Sequence, residues 1–222
     1  MVSIESRNRA SIYRVLLALP AIAVVVWVFR RVLFGGEVFS FRDAGHFYYP
    51  LFAFVREQIH GGIFPWWNPY ENLGEPIAAC ATTCLFYPPS WIMWLPGPFD
   101  LWFCAYVILH IVWGGWGMYV AARRLGCRRE GATTAAVAYM LSGPILFQTS
   151  NVVFLIGAGW LPWIFTCFET LRRTPRPETV LLAAVTTAMP VLGGDPQLAY
   201  HFALLWIGRL VCRFLLDLKS SR

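Results

Sequence analysis

Long apolar runs recur along this chain, and short clusters of arginine separate them. The runs cover residues 15–29, 101–122, 132–147, 152–171, 180–192 and 198–216. A helix that crosses the hydrocarbon core of a bilayer needs roughly 20 predominantly apolar residues, so the pattern predicts an all-α, polytopic transmembrane protein of about six spans. Composition points the same way. With 58% hydrophobic and 14% charged residues, the 222-residue chain has too little polar surface to clothe one soluble core. Residues 1–222 read as a single membrane domain.

The formal charge of +6 comes from 18 basic and 12 acidic residues. In a soluble chain this would suggest a nucleic-acid partner. Here the positive charge is gathered between apolar runs, in Arg123, Arg124, Arg128 and Arg129 and again in Arg172, Arg173 and Arg176. That arrangement marks cytoplasmic loops at about 123–131 and 172–178, so no nucleic-acid partner is expected. Arg7, Arg9 and Arg14 precede the first run, while Arg30 and Arg31 follow it directly and no small-x-small cleavage site appears. The first run is therefore expected to be an uncleaved helix kinked at Pro20, with both chain termini in the cytoplasm.

Residues 35–83 form the expected outer loop, with Glu37, Asp43, Glu57, Glu71 and Glu75 against Arg42 and Arg56. Pro50 suits the first turn of a helix that buries Leu51, Phe54, Val55 and Ile59, shows Arg56, Glu57 and His60, and ends at Gly61 and Gly62. Too short to span, this amphipathic helix is expected to lie along the membrane surface. Trp66, Trp67, Tyr70, Phe86, Tyr87, Trp91 and Trp94 supply an interfacial aromatic belt. Cys80 and Cys84 share the loop, where a disulfide is chemically permitted, though both also read as small apolar residues.

Two runs are short for a bilayer. One is interrupted at Gly143-Pro144, and the other contains Pro190 and runs into Gly193-Gly194. Broken membrane helices often line an enclosed cavity; ordinary kinks packed by Ala135, Ala136 and Ala138 explain them equally.

Asp43 is the leading candidate for chemistry, because it stands beside Arg42 and His46 where the outer leaflet meets water. A carboxylate there can accept a proton from an acceptor hydroxyl, or hold a divalent cation such as Mg or Mn against a phosphate. The plainer reading is a solvated loop aspartate or a turn cap. Asp195, in a Gly-Gly-Asp-Pro break, opens to the same side and is either a second polar wall or a helix start. Trp67 offers an aromatic face to a ligand, and interface anchoring explains it equally well. Asn68 needs partners in so apolar a neighbourhood, either a ligand or its own loop. Glu75 is a further, weaker candidate. His46, His60, His110 and His201 show no zinc-site spacing, and no P-loop, dinucleotide fingerprint or nucleophile elbow is present.

Several segments resemble bacterial YfhO-family membrane proteins. They are Phe41-Arg42-Asp43 through Tyr48-Tyr49-Pro50-Leu51, then Gly62-Ile63-Phe64-Pro65-Trp66-Trp67-Asn68-Pro69-Tyr70, Gly74-Glu75-Pro76 and Phe86-Tyr87-Pro88-Pro89. Further along are Gly117-Met118-Tyr119, Leu141-Ser142-Gly143, Trp160-Leu161-Pro162 and Gly194-Asp195-Pro196-Gln197-Leu198-Ala199-Tyr200, in family order. That family is similar to glycosyltransferases of the GT-C architecture. The resemblance implies a GT-C-like N-terminal part and sugar transfer from a polyprenyl-phosphate donor at the outer face of the bacterial cytoplasmic membrane. It also implies a catalytic or metal-associated role for Asp43, the acidic residue of the first outer loop. Arg42, His46, Trp67, Asn68, Glu75 and Asp195 would then face the substrate. Family members are longer, so the chain corresponds to roughly their first third. The expectation from another class is a non-catalytic module that binds lipid or a partner membrane subunit.

Overall fold

The computed structural model describes residues 22–220. Residues 1–21, with Pro20 and the first half of the 15–29 run, lie outside the described residues. Helical turns over 22–28 pass through a turn at Phe29 into α1 (Arg30–Phe34). A π-helical turn, Ala44–Tyr48, leads directly into α2 (Tyr49–His60). Irregular loop with short 3-10 turns follows as far as α3 (Phe99–Arg124). Then come α4 (Arg129–Met140), α5 (Gly143–Phe147), α6 (Val152–Arg173), α7 (Pro177–Leu192) and α8 (Pro196–Ser220). Among the described residues there is no strand, only an isolated antiparallel bridge between Asn68 and Glu75.

Among the described residues, three helices are long and apolar enough to cross a bilayer, namely α3, α6 and α8 over Pro196–Leu216. The two runs flagged as short stay short. Ser142, extended at ψ 147°, splits 132–147 into α4 and α5, and Pro144 suits the first turn of α5 because proline favours a helix start. The 16 residues of α7 extend about 24 Å, against a hydrocarbon core of about 30 Å.

Packing is centred on α3 and α6. They approach closely where Gly114 meets Gly159: a Cβ on Gly114 would stand 3.2 Å from the Gly159 Cα, so only hydrogen fits between the backbones. Pro162 interrupts α6 without leaving an orphan. Proline has no N–H to offer Ala158, four residues back, and the Tyr139 hydroxyl of α4 donates to that carbonyl at 2.7 Å. Phe52, Phe103, Tyr87 and Tyr106 are fully buried around these helices.

The amphipathic helix expected at Pro50 is present as α2. Leu51, Phe52 and Val55 of α2 are buried, and the Phe52 ring meets Phe103 and Tyr106 of α3. Its apolar face thus packs on protein rather than lipid. Arg56 donates to the Leu95 and Gly97 carbonyls, tying the polar side down as well.

Candidate functional site

Four loop segments meet at the end of the bundle away from the arginine clusters. They are the Ala44–Tyr48 turn, the loop around Cys84, the Gln148–Ser150 turn and the Gly193–Asp195 break. Cys84 fastens two of them, its buried thiol donating to the Gly193 carbonyl at 3.3 Å. Burial pushes this thiol up to about 12, so it is a neutral donor near neutral pH. Cys80 and Cys84 are both free thiols; Cys80 pairs instead with the Thr82 hydroxyl, at 2.9 Å.

Asp195 lies in the break between α7 and α8 and is 5% exposed. Its Oδ1 accepts the Leu198 N–H at 3.0 Å, capping the first turn of α8. Its Oδ2 rests against Gly157 of α6, where a Cβ would stand 1.9 Å away. Any other residue at 157 would evict the carboxylate. Burial raises the Asp195 pKa, and the Leu198 N–H, the positive field of His201 and the Gln197 N–H oppose the rise.

Tyr48 connects the two sides of this end. Its buried hydroxyl donates to Asn151 Oδ1 at 2.8 Å, just ahead of α6. Burial drives its pKa upward, and the nearby Asp43 and Asp195 carboxylates add to the rise. Asp43 and Asp195 therefore converge electrostatically on one phenol, the first from an exposed position and the second from a buried one. Arg42 occupies the left-handed region at φ 55°, and its guanidinium lies 5.6 Å from the centre of the Phe147 ring. Holding a non-glycine residue there costs of order 1 kcal/mol. The Gly45 and His46 N–H groups close the turn on the Arg42 carbonyl, leaving Asp43 and His46 exposed.

Trp67, Asn68 and Glu75 form a separate unit. The backbones of Asn68 and Glu75 exchange two 2.8 Å hydrogen bonds. The buried Asn68 amide accepts from the Tyr70 N–H at 3.0 Å and donates to Glu71 at 3.2 Å. Of the two readings of Asn68, the geometry displays the loop scaffold. The half-exposed Trp67 indole covers Gly74.

Comparison with protein-family models, curated proteins and solved structures finds no match. Geometry and chemistry therefore carry the functional argument. Tyr48, Asn151 and Gly157 were not singled out from the sequence, since a tyrosine, an amide and a glycine near apolar runs give no signal without their partners. His110 is explained by its neighbours. It donates from Nδ1 to the Tyr106 carbonyl at 2.7 Å, accepts from the Tyr87 hydroxyl at Nε2 at 2.8 Å, and Trp160 donates to that hydroxyl at 2.7 Å. Such a saturated chain is structural.

As for a metal, no group of three or more His, Cys, Asp or Glu suited to holding an ion occurs among the described residues. The surroundings of Asp43 do not make a divalent-cation cage.

Proposed function

We propose that this chain is a membrane-embedded, glycosyltransferase-like protein that transfers a sugar from a polyprenyl-phosphate donor to an acceptor outside the cytoplasm. The observation that carries the reading is the gathering of Arg42, Asp43, Tyr48, Asn151 and Asp195 at one end of the apolar helices. The motif resemblance to YfhO-family proteins supports a GT-C-like arrangement of about six spans in a bacterial cytoplasmic membrane, with both termini inside.

In this reaction the acceptor hydroxyl attacks the anomeric carbon of the sugar. The new carbon–oxygen bond forms as the bond to the lipid phosphate breaks, and the phosphate departs with the bonding pair. The exposed Asp43 carboxylate takes the hydroxyl proton. Arg42, its neighbour, offers a fixed positive charge to the departing phosphate. Tyr48 and Asp195 shape the inner wall.

A second reading has its own observation. Only 6% of the membrane-length part of α8 is buried, so nearly the whole helix is left for lipid or another chain. This favours a non-catalytic module completed by a partner membrane subunit.

The deciding experiment is sugar transfer in membranes expressing the chain, offered a panel of polyprenyl-phosphate sugars, with wild type compared to Asp43→Asn at equal expression. Transfer by wild type and a loss of about 100-fold or more in the variant are expected for a general base. Donor binding without transfer in wild type points to the module reading, and neither binding nor transfer sinks the sugar-transfer proposal.

A further inference from the structure

At the opposite end of α6, one buried carboxylate gathers more positive charge than it can balance. Glu169 is 6% exposed, and it accepts from Arg172 and from Arg173 Nε at 3.1 Å, while Arg209 of α8 reaches it at 3.3 Å. Arg124 of α3 donates to the Thr170 hydroxyl, one residue along, at 2.7 Å. Three guanidinium groups from two helices thus hold a single carboxylate, and a fourth, from α3, is fixed to the next residue. The side chains of Arg173 and Arg209 are 56% and 43% exposed, so their remaining N–H donors face outward.

An apolar groove of about 640 Å³ begins beside this cluster. Phe168 and Leu171 of α6 form one wall, and Val180, Ala184, Ala188 and Val191 of α7 the other. Phe168 is held in place by Phe202 and Trp206 of α8, and Arg209 itself lies over Trp206. A greasy channel therefore leads to surplus guanidinium groups at the end of membrane-length helices, the level at which phosphate headgroups lie.

We propose that this notch is a binding site for one anionic glycerophospholipid, its phosphate held by Arg173 and Arg209 and an acyl chain lying in the α6–α7 groove. Charge selects the headgroup: Glu169 orients the arginines but neutralises only one of them, so an anion completes the cluster where a zwitterionic headgroup would bring its own cation. Guanidinium groups suit a phosphate because they offer paired donors in a fixed plane. The groove selects a lipid over free phosphate, since almost nothing polar lines it. The inference rests on the reading that the long helices cross a bilayer and is independent of sugar transfer.

The test is native mass spectrometry of the full chain in detergent, titrated with phosphatidylglycerol or phosphatidylcholine of equal chain length. A preference of about tenfold for phosphatidylglycerol is expected. The paired variant R173Q/R209Q should abolish the preference. Ala184→Trp, which fills the exposed groove without touching the charge, should weaken the phosphatidylglycerol adduct, and millimolar inorganic phosphate should leave it intact. Equal adducts with both lipids, or a preference untouched by R173Q/R209Q, would overturn the site. Carbonate extraction of membranes tests the underlying reading separately. A chain that stays in stripped membranes yet shows no preference defeats only the lipid site, whereas release by carbonate defeats the membrane reading as well.

Discussion

Asp195 shows how one residue carries both a structural and an electrostatic role. Its carboxylate caps α8 while buried against Gly157. Burial raises its pKa above the ordinary 3.8. The sign follows directly: a raised folded-state pKa means that the folded chain holds the proton more tightly than the unfolded one. Stability is therefore greatest below the ordinary value and declines as pH climbs through the raised one. Asp195→Asn keeps an oxygen for the cap and removes the charge, so its melting temperature in detergent should lack that decline. Parallel wild-type and variant profiles between pH 4 and 8 would contradict the assignment. The carboxylates at 43 and 195 were legible as candidates from their settings, one after the first apolar run and one in a Gly-Gly-Asp-Pro break. Their shared field on Tyr48 was not, because 152 positions separate 43 from 195 and only folding brings them near one phenol.

At the scale of elements, hydrogen-bonded chains inside the bundle fix how its pieces meet. Trp160 of α6, Tyr87 of the loop ahead of α3 and His110 of α3 form one such chain. Tyr87→Phe keeps the ring and its packing but leaves the Trp160 N–H and His110 Nε2 without their partner. A loss of about 1–3 kcal/mol is expected, readable as a lower midpoint in thermal unfolding in detergent; an unchanged midpoint would mean that water takes over the bonds. Helix positions themselves were largely readable from hydropathy and from the Gly-Pro and Gly-Gly breaks. The fate of α2 was not. Its apolar face suits lipid or protein equally, and the buried rings of Phe103 and Tyr106 decide for protein.

For the molecule as a whole, the proposed orientation rests on charge. The arginine-rich loop between α3 and α4 carries the exposed Cys127, and the outer loop carries Cys80. In single-cysteine variants, an impermeant maleimide added to intact cells should label Cys80 and should reach Cys127 only after permeabilisation. The reverse pattern would invert the topology proposed above. The sequence by itself determined that the chain is helical and apolar, where its helices break and on which loops its charge collects, because these properties depend on residues close together in the chain. Tertiary structure alone decided that Asp43 and Asp195 share a neighbourhood, that Asn68 is used by its own loop, and that arginines from α6 and α8 crowd one glutamate. Each of these depends on contacts between distant segments, and it is close packing, such as Gly114 on Gly159, that sets which distant segments meet.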